Sequence, residues 1–185
     1  MHLTIRVTKQ VKLNQSLNSD KLLTLSKLIT QEFKRRIFDE SYPRIFKCLD
    51  SLSEEQVWFS PNKHSNSIGN LVLHLEGNLR QWMSSTFNEN EDHRKRSEEF
   101  TQSRTLNKKE IKGRLIVLKN EVLLYIDSLS DDDLERNYPV QVYKESGISI
   151  IIHVIEHFSY HTGQIAYITK QLDDKDLNFY SESLE

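Results

Sequence analysis

Four segments of this 185-residue chain repeat apolar side chains every three or four residues, the spacing of an amphipathic α-helix. They cover residues 21–52, 67–84, 107–129 and 148–172. The chain has 5 glycines and 3 prolines, too few for the tight turns that a many-stranded sandwich or barrel needs. Antiparallel packing of four such helices is the simplest way to bury four apolar faces. The sequence therefore predicts an all-α, antiparallel four-helix bundle.

The length of the chain fits one domain. The predicted bundle spans residues 21–175, with an N-terminal extension, residues 1–20, before it and a C-terminal tail, residues 176–185, after it. The tetrapeptide Asp-Ser-Leu-Ser closes the first long helix at 50–53 and recurs at 127–130, where the third helix ends. We therefore interpret the chain as two helix pairs, in each of which a long helix is followed by a histidine-bearing helix.

Three features interrupt the helical pattern. Pro43 is expected to kink or divide the first helix, because proline lacks the amide donor and clashes with the preceding turn. Residues 87–104 are charged and lack a period, so we predict a loop there. Residues 138–147 alternate weakly and contain a proline, which favours a short extended piece.

Composition excludes several classes of protein. The longest apolar run, 148–154, contains a serine and a histidine, so no membrane span is expected. Lys and Arg number 25 against 27 Asp and Glu, and the basic cluster 93–96 is bracketed by acidic residues; we predict a solvated loop there and no nucleic-acid binding. Cys48 is the only cysteine, which rules out an internal disulfide. Without an apolar signal segment near its first residue, the chain is expected in the cytoplasm.

Histidines on the fourth predicted helix are the first candidates for chemistry. His157 and His161 lie four residues apart at the apolar face, with Gln164 near them, whereas His153 and Tyr160 lie toward the polar side. Imidazoles at this spacing can converge on one metal ion at about 2.1 Å each. Two hydrogen-bonded core histidines are the alternative interpretation of the same pair.

His74, at the edge of the second apolar face beside Asn78, could supply a third imidazole from the facing helix. Three protein ligands with open positions are typical of catalytic rather than structural metal sites. A half-buried histidine that hydrogen-bonds a neighbouring helix is the alternative for His74. The sequence offers no role for His64 or His93, which are expected to be exposed.

These motifs resemble the DinB-like superfamily of small four-helix-bundle proteins. The stretch His-Phe-Ser-Tyr-His-Thr-Gly-Gln at 157–164 is similar to its H-x-x-x-H-x-G-Q signature, and the segment 66–75 is similar to its second-helix motif around a histidine. Residues 77–82 and 94–100 further resemble an uncharacterised subfamily. The resemblance extends over residues 29–172 and implies a divalent-metal site.

The resemblance implies that His74, His157 and His161 hold the metal, with zinc or nickel favoured over iron or manganese. Some relatives are thiol transferases that use bacillithiol or similar thiols, and others have been proposed to be metal-dependent hydrolases. The expected function is therefore a metal-dependent thiol S-transferase or hydrolase acting on a small molecule. A non-catalytic metal- or ligand-binding, stress-related bundle is the alternative.

Four further residues are expected to orient the ligands or to contact substrate: Asn78, His153, Tyr160 and Gln164. No catalytic residue is assigned. The expected partners are a small-molecule substrate, such as a low-molecular-weight thiol, and a second copy of the chain in a homodimer.

Overall fold

A computed structural model describes residues 23–88, 90–101 and 106–180. The N-terminal extension predicted at 1–20 lies outside these residues. The first long helical segment consists of α1 (Leu25–Lys34), a π-helical stretch (Arg35–Ser41) and α2 (Tyr42–Ser51). Next come the short helix α3 (Glu54–Val57) and the second long segment, which consists of α4 (Ile68–Leu79), a π-helical stretch (Arg80–Ser84) and α5 (Ser85–Phe87).

The second half of the chain repeats the pattern with one addition. The short helix α6 (Arg96–Thr101) precedes the long helix α7 (Lys108–Leu123), a 3-10 turn (Ile126–Ser128) and the short helix α8 (Asp131–Glu135). Strands β1 (Asn137–Val140) and β2 (Tyr143–Ser146) form an antiparallel hairpin that leads into α9 (Gly147–Leu172). The all-α bundle predicted from the sequence is confirmed, and the hairpin occupies the stretch expected to be extended.

Pro43 neither divides nor ends the first helical segment. The chain stays helical from Leu25 to Ser51, and a π-helical stretch precedes the proline. The amide of Tyr42 donates to the carbonyl of Ile37, five residues back, so the turn before Pro43 is one residue wider than an α-helical turn. This wider turn accommodates the proline within a continuous helix.

Helix α9 is the centre of the bundle, because it packs against both α2 and α4, and α4 packs on its other side against α6 and α7. Side chains at 150, 154, 158 and 165 of α9 are completely buried. Gly69 of α4 permits the ring of Trp58 to pack against this helix, since a Cβ atom there would lie 2.7 Å from that ring. Among the described residues, no helix is long and apolar enough to cross a bilayer.

The prediction of a loop over residues 87–104 is wrong in part. Residues 96–101 form α6, which lies against α4. Asn70 fixes this contact: its side chain closes a capping box with Ser67 at the start of α4, and its amide donates to the carbonyl of Glu99 at 2.8 Å. Six residues are too few to show a helical period, so the sequence pattern could not indicate this helix.

Candidate metal centre

Two helices bring the three predicted ligands to one point in the bundle. His74 lies in the second turn of α4 and is 6% exposed, whereas His157 and His161 lie one turn apart on α9, and His161 is 8% exposed. The Nε2 atom of His157 lies 3.1 Å from Nε2 of His74 and 3.1 Å from Nε2 of His161. Two nitrogens bound to one tetrahedral ion at about 2.1 Å each lie about 3.4 Å apart. The three histidines could therefore hold a metal ion.

Hydrogen bonds on the far side of two rings decide where the lone pairs point. Nδ1 of His74 lies 2.8 Å from Oε2 of Glu99 and 3.1 Å from Nη2 of Arg94, and Nδ1 of His161 lies 2.7 Å from Oε1 of Gln164. In each ring the nearest partner is an oxygen that can only accept, so we assign the proton to Nδ1. A neutral imidazole carries one proton, so in both rings Nε2 keeps a free lone pair directed at His157. Nε2 of His157 has at most one hydrogen to donate and cannot satisfy both neighbours. A cation shared by the three Nε2 atoms would satisfy all of them.

The electrostatic environment keeps the α9 imidazoles neutral. Burial, assisted by the neighbouring rings of His161 and His74, lowers the pKa of His157 to about 3. Burial also lowers the pKa of His161, although its hydrogen bond to Gln164 opposes the shift. Neutral imidazole is the form that ligates metals, so His157 and His161 are held in the protonation state that metal binding needs.

Comparison with known proteins identifies the family and the fold of this chain. A model of the family described as "Protein of unknown function (DUF1572)" matches residues 24–183. The chain belongs to this family. Among curated proteins, none matches.

Two solved structures place the DUF1572 chain among DinB-like folds. One is a DinB-like protein, YjoA, from Bacillus subtilis; it has 15% sequence identity and a TM-score of 0.61, and the match covers 85% of this chain and 99% of that one. The other is a conserved protein from Enterococcus faecalis, also 15% identical, with a TM-score of 0.64 over 83% of this chain and 100% of that one. The fold implied by the resemblance to the DinB-like superfamily is confirmed.

The four residues expected to support the ligands fall into two groups in this DUF1572 structure. Gln164 contacts His161 of the triad directly. Its Nε2 donates to the Tyr160 hydroxyl at 3.0 Å, so Tyr160 lies one hydrogen bond further from the triad. Asn78 and His153 instead contact each other, with 3.4 Å between Nδ2 and Nε2. The ring of His153 stacks on Trp82 at 3.8 Å, beside the triad.

Sequence reasoning missed Glu99 and Arg94, which lie in the stretch predicted to be a loop. Both side chains are largely buried, 11% and 5% exposed, and the solvated basic cluster predicted at 93–96 is therefore wrong for Arg94. Burial alone would raise the pKa of the Glu99 carboxyl, but hydrogen bonds from His74 and Arg94 outweigh it and hold that pKa below its usual range. Two signals pointed to them: residues 94–100 are part of the family resemblance, and a ligating histidine needs an acceptor at its second nitrogen.

A cleft of about 560 Å³ opens beside His74 and His157. Trp82 and His153 form one wall, and Tyr143 from β2 contributes a further aromatic ring. His64 and His93, by contrast, are exposed, as predicted. The triad of this DUF1572 chain thus adjoins a space that a small molecule could enter.

Proposed function

We propose that this chain binds one divalent metal ion, zinc or nickel, through the Nε2 atoms of His74, His157 and His161. One observation carries this proposal: Nε2 of His157 lies 3.1 Å from the Nε2 atoms of both His74 and His161, whose Nδ1 atoms face the oxygens of Glu99 and Gln164. The donor set fits such an ion, since three imidazoles suit zinc and nickel. Iron and manganese are the alternative occupants.

We further propose that the centre is catalytic and acts on a small molecule in the adjoining cleft, as a thiol S-transferase or a hydrolase. When bound, a divalent ion with an open coordination position lowers the pKa of a thiol or of water and so supplies a nucleophile. Trp82 and His153 form an aromatic wall that would orient substrate. The cleft beside the triad favours this function over the non-catalytic bundle, which needs no access to its metal.

Metal analysis of purified protein tests the first part. Wild-type protein, refolded or dialysed with zinc or nickel, should retain about one ion per chain, and His157→Ala should retain none. His64→Ala is the control, because it also removes one imidazole, whereas His64 is exposed and lies outside the triad. Stoichiometric metal in His157→Ala, or none in the wild type, would contradict the proposal.

A bimane-conjugation assay with a panel of low-molecular-weight thiols tests the second part, alongside ester and amide substrates for hydrolysis. We expect turnover that depends on added metal and disappears in His157→Ala. Metal-loaded wild-type protein without turnover on any of them would favour the non-catalytic alternative. The homodimer, the cytoplasmic location and the absence of nucleic-acid binding stay predictions.

A further inference from the structure

The environment of His74 differs from that of an ordinary core histidine because a carboxylate reaches it from a different part of the chain. Oε2 of Glu99 lies 2.8 Å from its Nδ1, nearer than Nη2 of Arg94 at 3.1 Å, although His74 and Glu99 are 25 positions apart. The carboxylate of Glu99 is itself held at two points, since Arg94 donates from Nε to Oε1 at 2.7 Å and from Nη2 to Oε2 at 3.0 Å. Arg94 is anchored in turn by Gln81, whose Oε1 accepts from Nη1 at 2.8 Å.

Gly77 provides the space for this arrangement. It lies on α4 one turn after His74, and a Cβ atom there would lie 2.2 Å from Oε1 of Glu99 and 3.0 Å from Nε of Arg94. Any side chain at this position would displace the carboxylate from the surface of α4. The carboxylate of Glu99 is therefore held in position by packing against α4 as well as by hydrogen bonds.

We propose that Glu99 is the positioning residue of His74 and that Arg94 and Gly77 hold it in place. The carboxylate fixes the proton of His74 on Nδ1, leaves Nε2 free as a ligand, and makes that nitrogen a stronger donor. This inference depends on the proposed metal site for its functional meaning. The tautomer of His74 in metal-free protein can, however, be measured whether or not the metal proposal holds.

The first experiment measures affinity for Co²⁺, followed by its visible absorption in competition with a chelator. Glu99→Gln should weaken binding by about 10- to 100-fold, the range found when such supporting groups of metal ligands are removed. Glu98→Gln is the matched control: it is adjacent on α6, its side chain is 57% exposed, and it pairs with Lys95. We expect that control to bind as the wild type does, and equal affinity for Glu99→Gln would overturn the proposal.

The second variant, Gly77→Ala, changes no polar group but places a methyl where the carboxylate lies. It should weaken Co²⁺ binding in the same direction as Glu99→Gln, and it replaces that variant if Glu99→Gln does not fold. Wild-type affinity in a folded Gly77→Ala protein would contradict the seating of the carboxylate.

Nitrogen NMR of the metal-free protein supplies a readout that a merely structural role would not move. In the wild type, His74 should carry its proton on Nδ1, with a low-field proton signal that disappears in Glu99→Gln and persists in Glu98→Gln. A wild-type His74 protonated on Nε2 would overturn the inference. Wild-type protein that binds no Co²⁺ but shows the Nδ1 tautomer would instead contradict the proposed function alone.

Discussion

The two sides of the histidine triad are supported in different ways. On the α4 side, His74 contacts the largely buried carboxylate of Glu99, which belongs to a separate segment of the chain. Arg94, five positions before Glu99, forms an ion pair with that carboxylate. On the α9 side, His161 contacts the neutral amide of Gln164, three residues on in the same helix and only half-buried. The first support exists only when distant segments have packed together, whereas the second needs only a helix. The α4 side should therefore be the more costly to disturb, in stability and in metal affinity.

The largest expected effect is that of Arg94→Ala on the α4 side. It leaves the mostly buried carboxylate of Glu99 without its cationic partner, which should lower the free energy of unfolding by about 3–5 kcal/mol. Urea unfolding of the metal-free protein measures this loss. A change below about 1 kcal/mol, the size expected for an exposed pair, would remove the distinction between the two sides.

Metal addition should stabilise the folded protein, because the ion would bind histidines of both α4 and α9. At a zinc concentration 100 times the dissociation constant, the free energy of unfolding should rise by about 2.7 kcal/mol in the wild type. His74→Ala and His161→Ala should both lose this gain, because each removes a ligand. Thermal unfolding with and without metal checks it, and a full gain in either variant would show that its side is dispensable.

Gln164→Ala should lower the free energy of unfolding by less than Arg94→Ala does, and should weaken metal binding by less than His74→Ala does. It removes the acceptor for Nδ1 of His161, a single neutral hydrogen bond in a half-buried position, so the stability of the apo protein should fall by about 0.5–1.5 kcal/mol. Co²⁺ affinity should fall by less than in Glu99→Gln, measured side by side. A larger loss of Co²⁺ affinity in Gln164→Ala than in Glu99→Gln would mean that Gln164 supports the triad more than Glu99 does.

The smallest effect is expected for Tyr160→Phe. The hydroxyl only accepts from Gln164 Nε2, and the side chain is 60% exposed, so stability should change by no more than about 0.5 kcal/mol. Metal affinity should remain that of the wild type in the same Co²⁺ titration. A marked loss of metal affinity would show that Tyr160, as well as Gln164, supports His161.

The same contrast explains how far the sequence could predict the site. His157, His161 and Gln164 share a face of a regular helix, so their spacing alone predicts that they lie together. His74 needed the assumption that its helix faces α9, which the bundle and the family resemblance supplied. Glu99 had no local signal, because its contact depends on the space above Gly77 and on a helix too short to show a period.

The fold shows the same limit on a larger scale. Long helices with continuous apolar faces were predictable, since burial of those faces dominates their packing. The widened turn before Pro43 was not, because a proline in a helical pattern is compatible with a kink, a break or a π-helical turn. Which of these forms depends on how the flanking residues pack against α9.

The triad also joins parts of the chain that are remote in sequence, since His74 and His157 are 83 positions apart. An ion bound to both would close a loop that includes α6, α7 and the hairpin. Separation of α4 from α9 would then require metal–ligand bonds to break, so amide hydrogen exchange in both helices would be limited by release of the ion. The lifetime of the closed bundle would accordingly follow the supply of metal in its surroundings, and a chelator would act on this protein as a local denaturant.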